Sequence, residues 1–141
     1  MRRHRRVALD TSVFIYQLEA NPRYVGLTDS VFAWLAQPDS TAVTSTITMT
    51  ELLVLPYRVA QEPQISECYA LLVKYPHLEW IAPDLEIADL AAQIRARLRL
   101  RTPDALEAAT AIRAGATGFL TNDPVFSRVD LFETLVLDRL L

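Results

Sequence analysis

One cysteine, Cys68, stands in 141 residues. That excludes an intrachain disulfide and any zinc site built from several cysteines, and it makes a reducing, cytoplasmic setting the default. Glycine is almost as scarce. Gly26, Gly115 and Gly118 cannot form the glycine-rich loop that cradles a phosphate. The two histidines, His4 and His77, lack the partners that a histidine-based nuclease or zinc centre needs. No apolar run reaches the ~20 residues of a membrane span. No run of the roughly seven apolar residues a signal peptide needs precedes the first acid, Asp10. Internal repeats, low-complexity tracts and linkers are absent.

What is present suits one folded domain over residues 1–141. The apolar fraction is 51%, enough for a real core, so disorder is excluded. The charge is unevenly placed. Removing Arg2, Arg3, Arg5 and Arg6 would take the net charge from −3 to −7. The body is acidic, which argues against a general nucleic-acid coat protein. It leaves room for an enzyme that meets nucleic acid through a local basic strip and metal ions. Residues 1–6 read as a flexible basic arm, with contact to RNA as the functional alternative.

Strand-like and helix-like segments alternate. Val7–Leu9, Thr41–Thr44, Leu78–Ile81, Gly118–Leu120 and Thr134–Leu137 read as short strands. Val13–Glu19, the stripe Leu27, Val31, Trp34 and Leu35, and Ile47–Val59 with Pro56 inside read as helices. So do the stripe Ile65, Cys68, Tyr69 and Leu72, and the stripe Ile87, Leu90, Ala91, Ile94 and Leu98. A last helix opens at Thr102-Pro103, with threonine as its cap and proline in its first turn, and closes before Gly115. The strands are continuous apolar runs rather than in/out alternations. That is the pattern of a parallel sheet covered on both faces, an α/β fold. Sites in such sheets form beyond the carboxyl ends of the strands.

Four acids sit at such edges. Asp10 and Asp123 follow strands, while Glu51 and Asp104 fall in the first turns of helices. Each has a structural use of its own. Asp10 can cap the helix after it. Glu51 completes a capping box with Thr48. Asp104 suits the helix macrodipole, and Asp123 before Pro124 suits a turn. Together on one rim they form an acidic pocket for a hard divalent ion such as Mg²⁺ or Mn²⁺, since close carboxylates otherwise repel.

The chain resembles the PIN-domain nucleases, and within them the VapC-type toxins of toxin–antitoxin pairs. The resemblance lies in Leu9-Asp10-Thr11-Ser12-Val13-Phe14-Ile15-Tyr16, in Thr44–Leu53, in Thr102-Pro103-Asp104-Ala105 with Ala108-Ala109-Thr110-Ala111, and in Phe119-Leu120-Thr121-Asn122-Asp123 with Phe126. It runs from about Val7 to Leu137. It implies a three-layer α/β/α fold with a central parallel sheet of strand order 3-2-1-4-5. It also implies a metal-dependent endoribonuclease using Mg²⁺ or Mn²⁺, in which Asp10, Glu51, Asp104 and Asp123 hold metal and Thr121 orients water or a carboxylate. An RNA substrate, a VapB-like antitoxin and a homodimer are implied with it. The alternatives are a PIN nuclease of RNA processing without an antitoxin, and a PIN-fold binding module without turnover. Asp10-Thr11-Ser12 lacks the second aspartate of the haloacid-dehalogenase phosphatases, which sets that class aside.

Two features lie outside the plain pattern. Glu107, one turn after Asp104, is either a polar neighbour of the site or a solvent-facing glutamate. Arg95, Arg97, Arg99 and Arg101 read as a helical basic strip leading to Asp104. Arg97 and Arg101 are the expected phosphate contacts, and a solvated helix face is the alternative.

Overall fold

The computed structural model describes residues 3–59 and 62–141. Arg2 of the basic arm lies outside the described residues. Five strands are formed: β1 (Arg6–Leu9), β2 (Thr41–Ser45), β3 (Leu78–Ile81), β4 (Gly118–Thr121) and β5 (Glu133–Val136). Six helices connect them: α1 (Thr11–Leu18), α2 (Val25–Leu35), α3 (Thr46–Arg58), α4 (Glu62–Val73), α5 (Leu85–Leu98) and α6 (Thr102–Arg113). All neighbouring strands are parallel and run in the order β3-β2-β1-β4-β5. The sheet order and the α/β/α layering expected from the sequence are those observed.

The short strands are apolar on both faces because each face has its own core. Val7 and Leu9 of β1 join a cluster with Val13, Phe14, Val31, Phe32 and Leu52 on the α1–α4 side. Ala8, between them, joins Ile87, Ile94, Ala105, Ala108 and Phe119 on the α5–α6 side. Ala42 and Val43 of β2 divide in the same way, as do Leu120 and Phe119 of β4. This is the two-residue period of a strand with helices above and below. Ala105, Ala108, Ala109 and Ala111 are fully buried. Their small side chains let α6 lie close to the sheet.

The order reverses between β1 and β4. The first half of the chain builds outward from β1 to β3, and the second half from β4 to β5. The switch point lies beyond Leu9 and Thr121, where open α/β sheets generally have their sites.

Several local expectations change. The cap of α3 is Ser45, whose hydroxyl accepts the Ile47 N–H at 3.2 Å. Glu51 therefore sits in the second turn, not in a capping box with Thr48. In α6 the cap position is Arg101 without a side-chain bond, and Thr102 is already helical. Pro56 does not end α3, which runs on to Arg58. Tyr69 is about half exposed rather than part of a buried stripe. The four arginines do not share one helix. α5 ends at Leu98, Arg99 takes a left-handed conformation (φ 57°), and the chain turns before α6.

The described part of the arm, residues 3–6, is held rather than free. Arg6 opens β1 and bonds the Ala114 carbonyl at 2.6 Å and Glu79 at 2.6 Å. Arg3 meets Glu133 at 2.5 Å. His4 is buried, with Nδ1 2.7 Å from the Thr117 hydroxyl and its ring against Gly118.

Phe119 stacks on Phe126 and Phe132, with ring centroids 4.4 and 4.9 Å away. Phe119→Ala would leave a cavity under the second core and should cost about 3–5 kcal/mol. Urea unfolding should show a lower midpoint at unchanged slope. A cost below about 1 kcal/mol would mean that this cluster does not support β4.

Candidate functional site

Asp10 is the first residue beyond β1. Its N–H bonds the Leu120 carbonyl at 2.9 Å, so the end of β1 is fixed to β4. Its carboxylate caps α1 by accepting the Thr11 N–H at 2.8 Å on Oδ1. Oδ2 accepts the Thr121 hydroxyl at 2.6 Å, from the end of β4. The Asp10 carboxyl is nevertheless raised to about 6. Burial is the main cause, Thr121 and Thr11 work against it, and the Glu51 and Asp104 carboxylates add to it.

Thr121 serves two acids at once. Its hydroxyl donates to Asp10 and accepts the Asp123 N–H at 3.0 Å. Asp123 is exposed and caps the following 3-10 helix, Pro124–Arg128, through the Val125 N–H at 3.0 Å. Glu51 reaches in from the second turn of α3, and Oε1 accepts the Thr11 hydroxyl at 3.0 Å. Asp104, in the first turn of α6, has a side chain only 15% exposed and meets Arg101 Nε at 3.2 Å. The fold thus brings Glu51 and Asp104 within electrostatic reach of Asp10. Asp123 joins through its backbone N–H to Thr121, while its carboxylate is used as the cap of the 3-10 helix.

Glu107 settles between its two readings. It is 4% exposed, so the solvent-facing alternative falls. Its Oε1 accepts the Thr48 hydroxyl at 3.0 Å. Its carboxyl is pushed well above the ordinary range, first by burial, then by Asp10, with Glu51 and Asp104 adding and Thr48 opposing. The residues that connect these acids were not singled out by sequence reasoning. Thr48 lies 2.8 Å from the Thr44 hydroxyl and 3.5 Å from that of Thr11. Thr44 also reaches the Leu9 carbonyl at 2.9 Å. The usable signal was the repetition of threonine through Thr41–Thr50, across the end of β2 and the first turns of α3.

The expected arginines separate. Arg101 is 79% exposed at the rim and touches Asp104. Arg97 lines a shallow groove with Arg128 and Asp130, and Arg95 is spent on the Leu100 carbonyl at 3.0 Å. A larger concavity, about 810 Å³, lies between α3 and α4 and holds none of the acids. Met49, Leu53, Val54, Tyr57, Tyr69 and Trp80 contribute to its walls.

Among the described residues no three acid, histidine or cysteine side chains close around one point as an ion cage. The donor set is open, and such a set suits Mg²⁺, which keeps several waters and takes one or two carboxylates. The Asp10 carboxyl is raised first by burial and then by the neighbouring carboxylates, and a cation bound there would offset both. The residues present fit a hard divalent ion.

The PIN-domain family model matches residues 7–131. No curated protein sequence matches the chain. Solved structures do. VapBC2 from Rickettsia felis, bound to a fragment of its promoter DNA, is 19% identical with a TM-score of 0.72, over 93% of this chain and 98% of its own. VapBC-5 from Mycobacterium tuberculosis is 25% identical with a TM-score of 0.62, over 94% and 98%. VapC20 from the same organism, a sarcin–ricin-loop-cleaving toxin, is 16% identical with a TM-score of 0.63, over 80% and 86%.

The buried carboxylates set a pH dependence. Asp10 holds its proton more tightly folded than unfolded, so its contribution to stability is complete below about 3.8 and is lost as pH rises through about 6. Glu107 acts in the same direction. With chelator present, unfolding free energy should fall between pH 4 and pH 7, by about 3 kcal/mol for Asp10 alone. Asp10→Asn should flatten that slope. Equilibrium unfolding across this range checks it, and equal slopes in both proteins would contradict the assignment.

Proposed function

Because the chain belongs to the PIN-domain family, we propose that it is a metal-dependent endoribonuclease and the toxin of a VapBC-type pair. The observation that carries the reading is the Thr121 hydroxyl held between the Asp10 carboxylate and the Asp123 backbone N–H, at the rim where Glu51 and Asp104 both bear on Asp10. A structural cap has no need of such neighbours. The sarcin–ricin-loop-cleaving neighbour supports cleavage as the activity. The VapBC complexes among the neighbours support a VapB-like antitoxin, and a homodimer is proposed with it. Among the described residues no helix is long and apolar enough to cross a membrane. The cytoplasm, where RNA is at hand, is the proposed location.

Asp10, Glu51, Asp104 and Asp123 would hold Mg²⁺ or Mn²⁺. When bound, such an ion makes water acidic enough to attack near neutral pH and offsets negative charge at the phosphate. The protein's own residues supply the orientation. Thr121 fixes the Asp10 carboxylate from β4, and the Thr11 N–H fixes it from α1. The Thr11 hydroxyl fixes Glu51. Glu107, whose carboxyl burial pushes well above the ordinary range, accepts the Thr48 hydroxyl and so anchors the threonine network next to Thr11. Arg101, exposed beside Asp104, would meet a backbone phosphate, with Arg97 in the last turn of α5 as a second contact. Attack by water rather than by the ribose 2′-hydroxyl would leave 5′-phosphate and 3′-hydroxyl ends.

Cleavage of structured RNA should require Mg²⁺ or Mn²⁺ and stop in chelator. Asp10→Asn and Asp104→Asn should each lower it by at least on the order of 10²-fold with the fold intact, and Thr121→Val by roughly 10–100-fold. Gel assays with circular dichroism controls test this. Full cleavage in chelator would remove the mechanism.

The partner is testable separately. Expression together with the reading frame next to its own should recover a complex with a small protein, and that protein should suppress both cleavage and toxicity. Its segment over the acids should carry an Arg or Lys, since a basic group there neutralises the cluster. Recovery of the chain alone, active and harmless to its host, would favour an RNA-processing role instead.

A further inference from the structure

Asn122 stands between Thr121 and Asp123, and its side chain points away from both, into a polar junction of four chain segments. Its two N–H groups donate to the Tyr16 hydroxyl at 3.0 Å and the Tyr24 hydroxyl at 3.1 Å. Its carbonyl oxygen accepts the Asp138 N–H at 3.0 Å. Its backbone N–H donates to the Ser12 hydroxyl at 3.2 Å. Tyr24 in turn donates to the Asp138 carboxylate at 2.5 Å, and Arg23 lies 3.5 Å from the same carboxylate.

The direction of the amide is fixed by this pattern. The Asp138 N–H needs an acceptor, so the oxygen must face it. The Tyr24 proton is committed to Asp138, so Tyr24 can only accept from Asn122. The two tyrosine rings stack with centroids 4.2 Å apart, which holds both hydroxyls on one side of the junction. Tyr16 and Ser12 are on α1, four residues apart, Tyr24 caps α2, and Asp138 lies in the 3-10 helix Leu137–Leu140. One carboxamide therefore ties the β4 corner to α1, α2 and the last turn of the chain. An aspartate could not replace it, since it has no N–H to give the tyrosines.

We infer that Asn122 is a positioning residue: by clamping the β4 corner to the stacked Tyr16–Tyr24 pair and to Asp138, it sets where the Thr121 hydroxyl and Asp123 stand relative to Asp10. This rests on the proposed role of Thr121 and Asp123 in cleavage. The lever is short. Thr121 makes its 2.6 Å bond to Asp10 and receives the Asp123 N–H, and the clamp acts on the residue between them. A corner free to shift by about 1 Å would misplace Asp123 and loosen Asp10, enough for a loss on the order of 10²-fold.

The test uses the full chain as Asn122→Ala, Asn122→Asp and the double variant Tyr16→Phe/Tyr24→Phe. The double variant keeps the ring stack and removes both acceptors of the Asn122 amide, together with the Tyr24 bond to Asp138 in the same clamp, so it remains informative if Asn122→Ala fails to fold. Two quantities are measured below the melting temperature of each protein: kcat and KM for RNA cleavage with Mn²⁺, and hydrogen exchange at the Asp123 amide. Positioning predicts kcat lower by roughly 10–100-fold with KM within about twofold, and faster exchange at Asp123, in the alanine and double variants alike. Asn122→Asp should be no better than alanine. Wild-type kcat and wild-type exchange in the double variant would overturn the inference, as would a lower melting temperature with kcat unchanged. If the wild-type protein does not cleave RNA, the proposed activity falls, and the exchange result alone decides whether Asn122 positions the corner.

Discussion

The burial of carboxyl groups close to one another is the constraint around which this molecule is arranged. Asp10 carries part of that cost, because it is almost buried and faces Glu51 and Asp104. Two short hydrogen bonds, from Thr121 and from the Thr11 N–H, offset part of that cost. The Thr11 bond is local, but the Thr121 bond comes from β4, so it also joins the two halves of the sheet. Loss of either would expose Asp10 to the full desolvation penalty. The site and the switch point of the fold are held by the same contacts.

The parallel sheet makes this crowding possible. In a parallel sheet all strands deliver their carboxyl ends to one edge, so residues distant in sequence arrive together. β1 brings Asp10, β4 brings Thr121 and Asp123, and the helix after β2 brings Glu51. Asp104 and Glu107 come from α6, which reaches the sheet because its inner face is alanine. A larger residue at Ala105 or Ala108 would lift α6 off the sheet and carry both acids away with it. The second core and the acidic rim are therefore coupled through the packing distance of one helix.

Much of this was legible from the residues. Continuous apolar strands between amphipathic helices announced a sheet covered on both faces, and the period-2 division of Val7, Ala8 and Leu9 between two cores is its structural form. The placement of Asp10 and Asp123 followed from their position after strands. What the sequence concealed were features set by tertiary contact. Threonine is ambiguous in a sequence, because its hydroxyl serves caps, turns and strands equally well. The roles of Thr44 and Thr48 exist only once α6 brings Glu107 against them. Glu51 looked like half of a capping box because Thr48 precedes it at the right spacing, yet Ser45 had already capped the helix three residues earlier. The arginine strip failed for a backbone reason. Arg99 adopts a left-handed conformation, which no helical periodicity count could foresee. Asn122 read as part of a short motif, and its function as a junction required two tyrosines and an aspartate that are distant in the chain.

The choice of supporting groups carries a further consequence. The contacts that steady the acids from within are hydroxyls and backbone N–H groups: Thr11, Thr48, Thr121 and the cap of α1. Neutral donors orient a carboxylate and lower its energy while leaving its charge in place. A buried arginine would do more for stability, but it would neutralise the cluster permanently and compete with any incoming cation. Among the described residues the ion pair to these acids is Arg101 with Asp104, and Arg101 stands 79% exposed at the rim. An exposed pair is weak and readily exchanged for another anion. The interior thus keeps its negative charge in reserve, and the rim holds a cation that can be released. Glu107 completes the arrangement. Its carboxyl is pushed well above the ordinary range by burial first and by Asp10 next, and the group that meets it is again a hydroxyl, that of Thr48.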